Sequence, residues 1–98
     1  MKVFISQPMR DKTDEEILAE RHIAAQKLHQ KYTEPINIID SFFEGAPHDA
    51  TPLWFLGESL KFLGTADVAY FCKGWEQYRG CVIEHECAVR YGIPCEYA

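Results

Sequence analysis

The segment ADVAYFC, residues 66–72, is the most apolar of four short strand-like segments in the chain. The other three are KVFIS at 2–6, INIID at 36–40 and IPCEY at 93–97. Short runs rich in β-branched and aromatic residues are typical of buried strands, and the most apolar strand of a parallel sheet is expected near its centre. We therefore predict that residues 66–72 form the central strand.

Helical segments separate these strands. The first is predicted over residues 14–32, after a capping box formed by Thr13 and Glu16. The second is predicted over LWFLGESLKFLG at 53–64, and the third over RGCVIEHECAVRYG at 79–92. Strands that alternate with helices indicate a parallel sheet covered on both faces. The sequence thus predicts one α/β domain over residues 1–98, a three-layer α/β/α sandwich with about four parallel strands.

Composition and charge argue against several classes of binding partner. The net charge is −5 and no Lys/Arg cluster is present, which argues against a nucleic-acid polymer as partner. No run of about 18 apolar residues and no signal-peptide pattern is present, so we expect a cytoplasmic protein without a membrane partner. The four cysteines form no C-x-x-C pair, which favours buried free thiols over a metal site.

In open parallel sheets, ligands bind at the carboxyl edge of the strands. The predicted loops at that edge are 6–13, 40–51 and 72–80. The first loop, SQPMRDKT, leads into a helix N-terminus, where free N–H groups and the helix dipole favour an anion. It either binds a phosphate or a ribose or is an ordinary solvated loop. Its candidate substrate-binding residues are Ser6, Gln7, Pro8, Met9 and Arg10.

Glu84 is the anomaly of the last helix. It projects near the middle of the apolar sector, in line with Ala88 and Tyr91, and we place it in the first turn. A buried ionised carboxylate needs a partner, a raised pKa or a cleft. At the rim it could act as a nucleophile at an anomeric carbon, as a general base, or as an acceptor for sugar hydroxyls. Alternatively, it caps backbone N–H groups or pairs with a buried Arg.

Three further residues allow two interpretations each. Trp75 either stacks on a nucleobase or packs over the end of the sheet. Asp40, at the end of the second strand, either supplies a second carboxylate to the cleft or forms a turn. Arg21 projects into the apolar stripe of the first helix, where it either extends its head group to solvent or pairs with a buried carboxylate.

The middle helix carries more apolar side chains than one stripe can bury. They are Leu53, Trp54, Phe55, Leu56, Leu60, Phe62 and Leu63. In a chain of 98 residues the excess predicts a subunit interface, and hence a homodimer or a higher homo-oligomer.

The segment GCVIEHECA resembles the G-[ST]-x-x-E-x-G-x-A segment of nucleoside 2-deoxyribosyltransferases and of the related nucleoside 5′-monophosphate N-glycosidases. Gly80, Glu84 and Ala88 match, whereas Cys81 replaces Ser or Thr and Glu86 replaces Gly. MKVFISQPM and LKFLGTADVAYF resemble the opening strand and the central strand region of the same proteins. Nearly end to end, the chain is most similar to a group of short bacterial and phage proteins described as related to these transferases.

The resemblance implies a flavodoxin- or Rossmann-like fold, no metal or organic cofactor, a homo-oligomer and a small-molecule nucleoside or nucleotide as partner. Glu84 would attack C1′ of the sugar, Gly80 and Cys81 would lie at the substrate, and the opening loop would meet the sugar or its phosphate. One departure is Ser59, which stands where the family commonly has an Asp that assists the leaving base. The opening strand also lacks the tyrosine of the related glycosidases, and the opening loop lacks their glycines.

The leading hypothesis is therefore an enzyme that cleaves or exchanges an N-glycosidic bond, with Glu84 as the catalytic residue. The alternative is a non-catalytic module that binds or senses a nucleotide derivative, which the missing Asp favours. A third interpretation is an oligomeric scaffold with a vestigial cleft.

Overall fold

The computed structural model describes residues 1–41 and 46–98 of the chain. Its strands are β1 (Lys2–Ser6), β2 (Asn37–Ile38), β3 (Val68–Phe71) and β4 (Cys95–Tyr97), and its helices are α1 (Asp14–Lys31), α2 (Pro52–Leu63) and α3 (Arg79–Arg90). A short 3-10 turn, Trp75–Gln77, lies within the segment predicted as a loop. Positions 42–45 of the predicted loop 40–51 lie outside the described residues.

The four strands form one parallel sheet in the order β2-β1-β3-β4. The predicted β-α-β-α-β-α-β order and the parallel sheet are confirmed, and the architecture is flavodoxin/Rossmann-like. β3 lies between β1 and β4 and all four of its residues are buried, as expected for an inner strand. From β1 the chain adds β2 on one side, and it then returns to add β3 and β4 on the other side. This change in the direction of strand order, between β1 and β3, creates a crevice at the carboxyl ends of the two strands.

Two apolar clusters cover the two faces of the sheet, because successive side chains of a strand point to opposite faces. One cluster joins Val3 and Ile5 of β1 to Ala24 and Leu28 of α1. The other contains Phe4, Ala69 and Phe71 from the strands, Leu63 from α2 and Ala88 from α3. One helix therefore packs on one face and two helices pack on the other, giving the predicted three layers.

Local sequence signals account for the starts of α1 and α2. Thr13 caps α1: its side chain accepts a hydrogen bond from the Glu16 amide, while Glu16 accepts one from the Thr13 amide. At the start of α2 the Thr51 side chain accepts a hydrogen bond from the Trp54 amide, and Pro52 follows in the first turn. Within residues 1–41 and 46–98, no helix is long and apolar enough to cross a membrane.

Candidate functional site

A cavity of about 870 Å³ opens at the crevice between β1 and β3. Its wall combines the segment after β1, one side of α2 and the beginning of α3. Its volume lies within the range of small-molecule sites, about 300–1,000 Å³. Most of the predicted site residues line it, namely Ser6, Gln7, Pro8, Met9, Arg10, Ser59, Gly80, Cys81 and Glu84.

Glu84 is only 8% exposed although it lines this cavity. The prediction that it lies in the first turn was wrong: α3 begins at Arg79, so Glu84 is the sixth helical residue and belongs to the second turn. At that position the side chain faces the sheet instead of the free N–H groups at the helix start. The helical periodicity therefore identified the right face of α3 but not the right turn.

The Glu84 carboxylate is fixed by hydroxyl groups from two other elements. The Ser6 hydroxyl, at the end of β1, donates a 2.6 Å hydrogen bond to Glu84 Oε1. The Ser59 hydroxyl of α2 also interacts with the carboxylate. Burial raises the pKa of Glu84 to about 7, and the two hydroxyls partly oppose that shift because they favour the ionised form. At neutral pH the carboxyl group is therefore about half ionised.

Cys81 lies one turn before Glu84 and is also buried. Burial raises the pKa of the Cys81 thiol to about 11, against an opposing interaction with the Ser6 hydroxyl. At neutral pH the thiol is protonated and is a poor nucleophile. All four cysteines are free, as the sequence predicted, but only Cys72 and Cys81 are buried, whereas Cys87 and Cys95 are partly exposed. Cys81, which stands where the resemblance implies Ser or Thr, is thus a neutral, weakly polar group.

The mouth of the cavity carries two cations. Arg10 and Arg79 are both exposed and both line the cavity, where Glu84 is the single carboxylate among the described lining residues. The Arg10 guanidinium lies over the Tyr78 ring, 5.5 Å from its centroid, in a cation–π arrangement. The site therefore combines a positively charged entrance with a deep carboxyl group.

Gln7 lines the cavity, but its side-chain amide is engaged elsewhere. Its Nε2 donates hydrogen bonds to the Ile17 carbonyl at 3.0 Å and to Glu20 at 3.1 Å. Its Oε1 accepts a hydrogen bond from Arg21 at 3.0 Å. A contact between Gln7 and a ligand would therefore involve its backbone, with the side chain anchoring the loop to α1.

Trp75 and Asp40 do not join this site. Trp75 packs over the end of the sheet against Phe71, His85 and Tyr97, and lines a separate cavity of about 370 Å³. This is the second of the two interpretations given above. Asp40 is exposed outside the wall of the larger cavity, and its charge raises the pKa of Arg21 against the larger, lowering effect of burial.

Several lining residues were not named individually among the predicted substrate-binding residues, although Ser41, Tyr78 and Arg79 lie in the loops 40–51 and 72–80 that were predicted at the binding edge. They are Ser41, Thr51, Pro52, Leu53, Phe55, Leu56, Tyr78, Arg79 and Ile83, together with Phe4 and Ile5 of β1. Tyr78 and Arg79 immediately precede Gly80 and Cys81, so the available signal was their closeness to the segment on which the resemblance is based. The contribution of α2 had no such signal, because it depends on how that helix lies across the sheet.

Among residues 1–41 and 46–98, no group of three or more His, Cys, Asp or Glu side chains could hold a metal ion.

Comparisons of the chain with family models, with curated proteins and with solved structures found no match. The resemblance drawn from GCVIEHECA and the two strand segments therefore stays a prediction, and the function is argued from the site.

Proposed function

We propose that this protein cleaves or exchanges the N-glycosidic bond of a nucleoside, a nucleotide or a nucleotide-derived molecule, with Glu84 as the nucleophile. The observation that carries the proposal is the Glu84 carboxylate, which is 8% exposed, lines a cavity of about 870 Å³ and is fixed by Ser6. A carboxylate held in this way meets the need of a nucleophile at C1′ for a fixed position and restricted access to water.

The reaction would proceed in two displacements. An ionised oxygen of Glu84 bonds to C1′ while the C1′–N bond breaks, and the base leaves with the bonding electron pair and takes up a proton from solvent. Water, or an N–H nitrogen of a second base, then attacks C1′ of the glycosyl ester, the C1′–O bond to Glu84 breaks to release the carboxylate, and the attacking group loses its proton to solvent. Two displacements at one carbon give net retention of configuration.

The cavity wall suits the parts of a nucleotide. The apolar side chains of Leu56 and Ile83 can contact a base or a sugar ring, and Ser59 can hydrogen-bond a sugar hydroxyl. Arg10 and Arg79 can pair with a 5′-phosphate, since guanidinium groups bind phosphate oxygens in pairs. We therefore include monophosphates among the substrates to be tested.

Ser59 favours a second candidate function, a module that binds a nucleotide derivative without turnover. Its hydroxyl interacts with Glu84 at the position where the resemblance implies an Asp. A serine hydroxyl does not titrate near neutral pH, so it is a weaker proton donor to a departing base than a carboxyl group is. The same cavity could therefore hold a ligand and leave its glycosidic bond intact.

The test compares the wild-type protein with Glu84→Gln on 2′-deoxynucleosides, ribonucleosides and their 5′-monophosphates, each with and without a second free base. Free and exchanged bases are separated by chromatography. The matched control is Glu86→Gln, since Glu86 is exposed on the same helix and pairs with Arg90 at 2.9 Å.

We expect base release or exchange by the wild type and by Glu86→Gln, and a loss of roughly 100-fold or more in Glu84→Gln. Equal rates in Glu84→Gln and the wild type would remove Glu84 from the chemistry. Thermal stabilisation of the wild type by nucleotides, without base release, would support the binding module instead.

A further inference from the structure

Arg21 is a buried cation that takes no part in the proposed reaction. It is 9% exposed, on the face of α1 that packs against the sheet. Its guanidinium donates to the Gln7 amide oxygen at 3.0 Å, to the Ile39 carbonyl at 3.0 Å and to the Ser41 hydroxyl at 2.7 Å. All three hydrogen-bond acceptors are neutral, and the charge of the exposed Asp40 also acts on the guanidinium, so the arrangement is a hydrogen-bond network and not a closed buried ion pair.

These hydrogen bonds connect the parts of the chain that leave the carboxyl ends of β1 and β2. Gln7 follows the last residue of β1, and Ser41 follows β2 by three positions. Gln7 and Ser41 both line the large cavity, whereas Arg21 does not. The planar guanidinium can reach Gln7 from one nitrogen and Ser41 from the other, which a single ammonium group cannot reproduce.

We propose that Arg21 is a positioning residue for the candidate site and that, through Gln7, it holds Ser6 in hydrogen-bond contact with Glu84. Gln7 is the middle link: its amide is bound by Arg21 on one side and by the Ile17 carbonyl of α1 on the other. The peptide unit between Ser6 and Gln7 is then fixed, and with it the direction of the Ser6 hydroxyl toward Glu84.

A positioning role of Arg21 can be separated from a direct effect of its charge on the pKa of Glu84. The shifted pKa of Glu84 has burial, Ser6 and Ser59 as its causes, with no contribution from Arg21. Among the described residues, the titratable or charged groups that share the cavity with Glu84 are Arg10, Tyr78, Arg79 and Cys81, and the hydrogen bonds of Arg21 go to other residues, Gln7, Ile39 and Ser41. Arg21→Lys keeps the charge and loses the paired geometry, whereas Arg21→Met loses both.

The experiment is a carbon-13 NMR titration of the Glu84 side-chain carboxyl, assigned by its absence in Glu84→Gln. The variants are Ser6→Ala, Arg21→Lys, Arg21→Met and the double variant Ser6→Ala/Arg21→Lys. Losing the Ser6 hydrogen bond should raise the pKa of Glu84 from about 7 to about 8. We expect both Arg21 variants to raise it to a similar value, and the double variant to add nothing to Ser6→Ala.

A Glu84 titration that stays at its wild-type position in the Arg21 variants, or that moves only in Arg21→Met, would overturn the proposal. So would an additive double variant or an unshifted Ser6→Ala. Should Arg21→Lys and Arg21→Met fail to fold, Gln7→Met is used instead, because it breaks the same connection at its middle link. A raised pKa of Glu84 in Gln7→Met would support the proposal, and an unchanged pKa would overturn it.

The consequence for turnover rests on the proposed function: kcat of Arg21→Lys should be lowered at pH 7 and approach the wild-type value at pH 9. The NMR titration does not depend on turnover. An absence of turnover in the wild type would therefore contradict the proposed function but not the positioning role of Arg21.

Discussion

Ser6 and Glu84 lie 78 positions apart in the chain, and the Ser6 hydroxyl donates a 2.6 Å hydrogen bond to Oε1 of Glu84. The bond joins the end of β1 to the second turn of α3, at the crevice between β1 and β3 where the strand order changes direction. Because both residues are buried, the bond forms where charge–dipole interactions are strong. The protonation state of Glu84 thus connects the stability of the fold to the chemistry of the site.

Replacing Glu84 by Gln should change how stability depends on pH. Burial raises the pKa of Glu84 in the folded state from 4.5 to about 7, so the folded protein binds this proton more tightly than the unfolded chain does. The resulting stabilisation is fully present below pH 4.5 and is lost as the pH rises through about 7. A shift of this size corresponds to about 3 kcal/mol.

Urea unfolding of the wild type and of Glu84→Gln between pH 4 and pH 8 measures this loss. We expect the free energy of unfolding of Glu84→Gln, relative to the wild type, to rise by about 3 kcal/mol over that range. Comparing the two proteins cancels the titration of the other groups. Parallel stability curves would show that Glu84 titrates alike in the folded and unfolded states.

Replacing Ser6 by Ala should shift the pH dependence of the proposed reaction. Without the hydroxyl the ionised form of Glu84 is less stable, so a smaller fraction of the nucleophile is ionised at neutral pH. For a pKa that rises by about one pH unit, the rate at pH 7 should fall about fivefold and should recover above pH 9. The measurement is kcat against pH for both proteins. A rate reduced equally at every pH would argue for a lost substrate contact.

The strand and helix pattern was predictable because each signal is local. KVFIS coincides with β1, and the Thr13 capping box marks the start of α1. β3 and β4 are shorter than predicted, and β2 departs most: five residues were predicted and two form the strand, Asn37–Ile38. It is an edge strand with partners on one side only, so its extent depends on its register with β1, which the sequence of β2 does not contain.

The site was predictable only in part, for a related reason. Helical periodicity identified Glu84 as inward-facing, since this depends on α3 alone. The position of Trp75 was left open because it depends on Phe71, His85 and Tyr97, which lie on three different elements. Both interpretations of Arg21 were wrong: its head group is buried and donates to neutral acceptors, two of which, Ile39 and Ser41, belong to the segment after β2 and could not be inferred from α1 alone.

The exposed apolar face of α2 leads to a prediction about self-association. Leu53 is 75% exposed and Phe55 is also exposed, and both belong to the wall of the candidate site. We propose that a second copy of the chain covers this face, and we expect concentration-dependent association in sedimentation experiments. Leu53→Glu should weaken it at least about tenfold, because burying a leucine contributes about 1.5–3 kcal/mol.

The matched control for Leu53→Glu is Val89→Glu on α3, where the valine is 59% exposed and lies outside the cavity wall. This control carries the same added charge and should leave the association constant close to that of the wild type. Equal weakening by both variants would indicate a general charge effect. A wild-type protein that stays monomeric at every concentration would contradict the proposed interface.

Replacing Thr13 by Ala should destabilise the fold without changing Glu84. The Thr13 side chain accepts a hydrogen bond from the Glu16 amide at 3.1 Å, and its loss leaves an N–H group at the start of α1 without that acceptor. We expect a loss of about 1 kcal/mol, which lowers Tm by about 4–8 °C in a domain of this size. Thr33→Ala, at an exposed position after α1, is the control and should leave Tm unchanged. If both variants melt with the wild type, the cap contributes nothing measurable, and the start of α1 must instead be held by its packing on the sheet and by the Arg21 hydrogen bonds.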